Sequence, residues 1–156
     1  MHLAAHVAAV VAVLTTGIVY GTDVFCALVL RPALARVDDV ALTAVMGNVH
    51  RVADQRMSVP GILGIAGSAA AVVLAAVAGR SVASAAAGVA LVLLVVWLLL
   101  YLRISAPINR ALTAAAAEQR TPDNARDLQH NWDRIITPRA ILQGLAVAAL
   151  CVSLLN

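Results

Sequence analysis

The sequence predicts an all-α protein, a bundle of four transmembrane helices in which the second and fourth are kinked. Three observations predict it. Of 156 residues, 62% are apolar and 12% are charged, against about a quarter charged in a soluble domain. Mean hydropathy is +0.92. Four segments reach or approach the roughly 20 apolar residues that a spanning helix needs, and no useful strand-type alternation occurs. Aromatics are only 3%, so the apolar mass is Ala, Val and Leu, with too few polar residues to cover it in water. The composition excludes disorder, a disulfide scaffold and a nucleic-acid-binding tail. The expected partner is the lipid bilayer.

The first span is Leu3 to Leu30, interrupted by His6, Tyr20 and Asp23. It has no basic leader, and its apolar run outlasts a signal-peptide cleavage site, so it reads as a retained helix. Arg31-Pro32 is expected to end or kink it. Asp38-Asp39 caps a helix over about 40–57. Ser58 and Pro60 suit the cap and first turn of the second span, about 58–79. Helix running unbroken from Val40 to Gly79 would be about 60 Å long, twice a bilayer core, so this stretch must tilt, break or lie partly at the interface. The third span, about 81–104, is expected to end near Ser105-Ala106-Pro107, with a short Ala-rich helix over Ala111 to Gln119. Thr121-Pro122-Asp123 starts the fourth, about 123–155, with a bend near Thr137-Pro138. The whole chain, 1–156, reads as a single integral membrane domain.

All eleven basic residues are Arg and the net charge is +3. No polybasic run points to nucleic acid. Arg80 stands alone between the second and third spans. Arg31 and Arg36 lie in the first loop, with Arg51 and Arg56 close by. Arg103, Arg110, Arg120, Arg126 and Arg134 surround the third. The positive-inside rule therefore places loops one and three in the cytoplasm and both termini outside, in the plasma membrane. Cys26 and Cys151 fall near opposite faces and read as small hydrophobes rather than a disulfide.

Topology gathers polar residues at one end of such a bundle. Tyr20 and Asp23 come from the first helix. His50, Arg51, Asp54 and Gln55 come from the second. Arg103 and Asn109 follow the third, and His130, Trp132, Asp133, Arg134 and Arg139 begin the fourth. Thr16, Tyr20 and Asp23 share a stripe, as do His50 with Asp54, His130 with Arg134, and Trp132 with Arg139. A carboxylate inside a spanning helix costs roughly 2.5–3.5 kcal/mol on insertion scales, so Asp23 should face a partner or a cavity. The plainer readings stand beside these. Asp23 pairs with an Arg and fixes packing. His50 and Asp54 are an oriented base, a ligand pair, or ordinary residues of an interfacial helix. Trp97 and Tyr101 belong to the lipid interface or to packing, Arg110, Arg120 and Arg126 are loop charges, and His6 is a surface residue. Gly17, Gly21, Gly64 and Gly67 permit close helix contact.

Four stretches carry a resemblance: Gly17-Ile18-Val19-Tyr20-Gly21, Leu30-Arg31-Pro32-Ala33-Leu34-Ala35-Arg36, Ala106-Pro107-Ile108-Asn109-Arg110-Ala111-Leu112, and Trp132 with Arg139. With the helix order and loop lengths, they make the chain resemble the anthrone-oxygenase-like family of small four-helix membrane proteins over nearly its whole length. The chain departs from that family's Trp-Asn-His-x-Arg run, having Ile135-Ile136-Thr137-Pro138-Arg139 there. His130 or His50 would have to substitute, or the activity differs.

The resemblance implies oxygenation of an apolar, polyketide-like aromatic substrate by O2, without a cofactor. Such chemistry needs a base, a donor for the developing oxyanion and an apolar slot. The expected catalytic residues are His50 as base, oriented by Asp54, with Asn109 and Arg139 as oxyanion donors. Expected at the substrate are Tyr20, Asp23, Trp132 as a stacking wall, His130 and Arg134. One alternative is an Fe or Cu oxidase using His50, Asp54, His130 and Asp23 as ligands. Another is a non-enzymatic binding, transport or accessory subunit. A homo-oligomer is compatible with each, and a transport path would require one.

Overall fold

Lipid tails are as apolar as leucine, so helices in a bilayer associate through close packing of small residues. The side chains of this chain sort that way. In the computed structural model, which describes residues 2–156, Leu3, Leu14, Ile62, Val77 and Val92 point outward, and Ala9, Ala12, Ala71, Ala75, Ala87 and Ala90 fill the inside. The described residues form five helices and no strand: α1 (His2–Leu34), α2 (Asp39–Arg56), α3 (Ser58–Val77), α4 (Ser81–Ala117) and α5 (Ala125–Leu155). The all-α bundle is as expected. α1, α3, α4 and α5 are each long and apolar enough to cross a membrane. Around the bundle, α1 lies between α3 and α5, and α4 joins those two on the far side. α2 packs instead on Ala106–Ala117 of α4 and closes one end.

Local chemistry sets the ends of α2. The Asp38 carboxylate accepts from the Ala41 amide at 2.7 Å and caps the helix. The chain breaks at Met57, between α2 and α3. Ser58 does not cap α3; its hydroxyl donates back to the Gln55 carbonyl at 3.0 Å. Gly47 lets α2 dock, since a Cβ there would lie 2.5 Å from the Leu112 carbonyl oxygen. Gly64 plays the same part between α3 and α1, where a Cβ would lie 2.6 Å from the Thr16 hydroxyl. Gly17 and Gly21, expected at such contacts, have nothing within 4 Å.

Two helices run past their expected ends. α1 continues through Pro32 to Leu34, and α4 through Pro107 to Ala117. In each, a π-helical turn (Cys26–Leu30, Tyr101–Ser105) comes just before the proline. The Arg31 amide bonds the Cys26 carbonyl, and the Ala106 amide bonds the Tyr101 carbonyl, five residues back. The wider turn makes room for a proline ring that would otherwise crowd the preceding carbonyl. Pro138 also lies inside a continuous helix, α5.

Arg126, expected as a plain loop charge, ties the first loop to α5. Its guanidinium pairs with Asp39 at 2.6 Å and donates to the backbone carbonyls of Leu34, at 3.1 Å, and Val37.

Candidate functional site

A cavity of about 290 Å³ opens where α2 meets the ends of the four long helices. It lies at the lower edge of the roughly 300–1,000 Å³ usual for small-molecule sites. Most of its wall is apolar, with Val19, Met46, Ile65 and Leu98 among the contributors.

One side is an ion-pair network. Arg139 of α5 lies 3.0 Å from Asp23 of α1, and both are buried. The other Arg139 terminal nitrogen donates to the Ser105 hydroxyl at 2.7 Å. The second Asp23 oxygen accepts from the Gln143 amide at 2.6 Å and the Trp97 indole at 3.4 Å. The Arg139 guanidinium carbon lies 5.8 Å from the Trp97 ring centre and 5.6 Å from that of Tyr101, within cation–π range. Trp97 and Tyr101 stack at 6.3 Å. A charged pair so satisfied is a neutral unit that lipid tolerates.

The opposite side is built on α2. One oxygen of Asp54 accepts from the Tyr101 hydroxyl and from the Asn109 amide, each at 2.9 Å. His50, one turn earlier, is buried against Trp132, with ring centres 5.4 Å apart. Burial lowers its pKa to about 4; Asp54 pulls it up and Arg139 pushes it down. The imidazole is therefore neutral at pH 7. Four buried polar atoms on residues lining the cavity have no protein partner: His50 Nε2, Trp132 Nε1, Asn109 Oδ1 and Arg139 Nε.

Of the residues expected at the site, His50, Asp54, Asn109, Arg139, Asp23 and Trp132 all line this one cavity. Tyr20, His130 and Arg134 do not. Tyr20 lies against Gly144, where a Cβ would meet its ring at 3.1 Å. His130 and Arg134 are exposed on α5, and Arg134 borders a separate groove. The expected orientation of His50 by Asp54 is also corrected, since no hydrogen bond joins them among the described residues. The Asp54 oxygen serves α4 instead. The four-ligand metal arrangement does not assemble, because His130 is outside the cavity and Asp23 is committed to Arg139. Among the described residues no group of three or more His, Cys, Asp or Glu side chains is placed to hold a metal.

Sequence reasoning assigned Trp97 and Tyr101 to the lipid interface or to packing and passed over Ser105, along with Gln143. The first three recur every fourth residue and lead to Asn109, a stripe visible in the sequence. Gln143 follows Arg139 at the same spacing. Compared with known proteins, the chain matches no family model, no curated protein and no solved structure.

Proposed function

We propose that this chain is a membrane-embedded oxygenase that takes a compact, flat, hydroxylated aromatic compound into the cavity and oxidises it with O2, without a cofactor. The observation that carries this reading is the set of four unpartnered buried polar atoms around an apolar hollow. Buried polar groups normally find partners. Two of these, the Trp132 indole N–H and the Arg139 Nε–H, are donors; the Asn109 oxygen accepts, and His50 Nε2 accepts in the Nδ1–H tautomer. A phenol-ketone of the anthrone type offers the complementary set. The resemblance drawn from the sequence points to the same substrate class. On this reading loops one and three, with the cavity, face the cytoplasm.

The chemistry follows from those positions. An anthrone methylene is acidic because its carbanion delocalises onto the ring ketone. His50 accepts that proton, and the Arg139 and Trp132 N–H groups stabilise the oxyanion that forms. The enolate beside it stabilises the imidazolium, as Asp54 already does. The electron-rich carbon reacts with O2, a C–O bond forms, and the peroxide takes the proton back from His50. The hydroperoxide then loses its remaining C–H proton and hydroxide as water, leaving a second ketone. One O2 is consumed; one oxygen enters the product and the other leaves as water.

A binding protein without turnover is the second reading. Favouring it is the bonding of Asp54 to Tyr101 and Asn109, which leaves His50 without a carboxylate to orient it. Oxygen uptake by detergent-purified protein supplied with anthrone separates the two. The proposal expects uptake that matches quinone formed, persists after chelation, disappears in His50→Ala and survives His130→Ala. Bound anthrone with uptake at background would establish the binding reading instead.

A further inference from the structure

A second concavity lies outside the cavity, between α4 and α5 at the arginine-rich end of the bundle. Arg103, Arg134 and Asn131 supply its polar lining, and Ile104, Ile108 and Ile135, with Pro107, its apolar lining. Both arginines are exposed, and neither makes an ion pair or side-chain hydrogen bond among the described residues. Arg126, Arg120 and Arg139 are each paired with an acid, and of the remaining arginines only Arg103 and Arg134 line this groove. No acidic residue lines the groove.

Its depth is equally telling. The 20 uncharged residues Ser81–Leu100 precede Arg103 on α4, about 30 Å of helix and the thickness of a bilayer core. Arg103 thus emerges where the phosphates of a bilayer leaflet lie. Arg134 meets it there from α5, just before the apolar run that starts at Ala140. Two unpaired guanidiniums and an amide sharing one groove with three isoleucines match a phosphodiester head joined to the start of an acyl chain.

We propose that this groove binds one anionic phospholipid, with Arg103 and Arg134 gripping the headgroup phosphate, Asn131 donating to it, and the isoleucines contacting the glycerol and upper chain. The site is independent of the chemistry in the cavity. Its occupancy ties α4, at and just past its π-helical turn, to α5 on the N-terminal side of Pro138.

Native mass spectrometry of the full chain in detergent tests this, with phosphatidylglycerol, phosphatidylcholine of the same acyl chains, and inorganic phosphate as separate probes. The wild type should retain one phosphatidylglycerol in preference to phosphatidylcholine. The Arg103→Gln/Arg134→Gln pair should lose on the order of tenfold of that preference. The Arg103→Lys/Arg134→Lys pair should keep part of it. Arg36→Gln/Arg120→Gln, outside the groove, should keep all of it, and circular dichroism should show equal helix content throughout. Equal retention of the two lipids, undiminished preference in the Gln pair, or the same loss in the control pair would overturn the proposal. So would displacement of the lipid by inorganic phosphate at matched concentration, which would mark a free-anion site.

Discussion

Arg139 and Asp23 meet at 3.0 Å across 116 positions of sequence, with side chains only 7% and 5% exposed. The pair joins α5 to α1 at the cavity wall and presents its charge to Ser105, Gln143 and Trp97 rather than to lipid. Removing one partner strands the other. Asp23→Ala and Arg139→Ala should each lose about 3–5 kcal/mol. Removing both charges together, in Asp23→Asn/Arg139→Gln, should cost far less than the sum of the single losses. Unfolding of each variant in mixed micelles checks this; additive losses would show that the pair does not act as a unit.

His50 gives stability a pH dependence. Its folded pKa, about 4, lies below the ordinary value near 6.5. Between those values the unfolded chain binds the extra proton and the folded chain does not. Stability is therefore full above about pH 6.5 and falls as pH drops towards 4, by up to about 1.4 kcal/mol per pH unit. Unfolding followed across this range should show the decline in wild type and a flatter profile in His50→Gln.

Two glycines should respond in opposite directions. At Gly47 a new Cβ meets the Leu112 carbonyl oxygen at 2.5 Å and collides with the Ala116 Cβ. Gly47→Ala should cost about 1–3 kcal/mol, as overpacking does. At Gly17 nothing lies within 4 Å, so Gly17→Ala should be neutral or stabilise by up to about 1 kcal/mol, through helix propensity alone. Unfolding midpoints of the two variants, measured side by side, check the contrast.

The convergence at the cavity was legible because antiparallel neighbours bring alternate chain ends together. That reasoning gathers Asp23, His50, Asp54, Asn109, Trp132 and Arg139 without coordinates. It does not fix which way each helix face turns. On α5 the inward seam is Trp132, Ile136, Arg139 and Gln143. His130 stands about 200° around from Trp132 and so falls outside, with Arg134 on its stripe. On α1 the buried seam takes Thr16 and Asp23, seven apart, and leaves Tyr20 to one side against Gly144. Trp97 and Tyr101 near the end of an apolar run fit the aromatic-belt pattern equally well, which hid their place in the wall. The π-turns have no periodic signature, so Pro32 read as a stop or kink and Pro107 as a stop, when both helices pass through them.

Tyr101 should separate its ring from its hydroxyl. Tyr101→Phe retains the stack on Trp97 and the contact with Arg139 but removes the 2.9 Å bond to Asp54. The expected loss is about 1–2 kcal/mol, and more in Tyr101→Leu, which loses the ring as well. Equal losses in the two variants, measured by chemical unfolding, would place the whole effect in the hydroxyl.

The chain has only two tryptophans, Trp97 and Trp132, and both line the cavity. Intrinsic fluorescence is therefore a direct monitor of its occupancy. Titrating the purified protein with a flat phenolic ketone of the anthrone type should quench that emission saturably. Filling the hollow from its wall with Ala53→Leu should weaken the response, and His50→Ala should raise the concentration needed. Emission that does not change up to the solubility limit, or quenching that is identical in Ala53→Leu, would contradict a ligand site at this cavity.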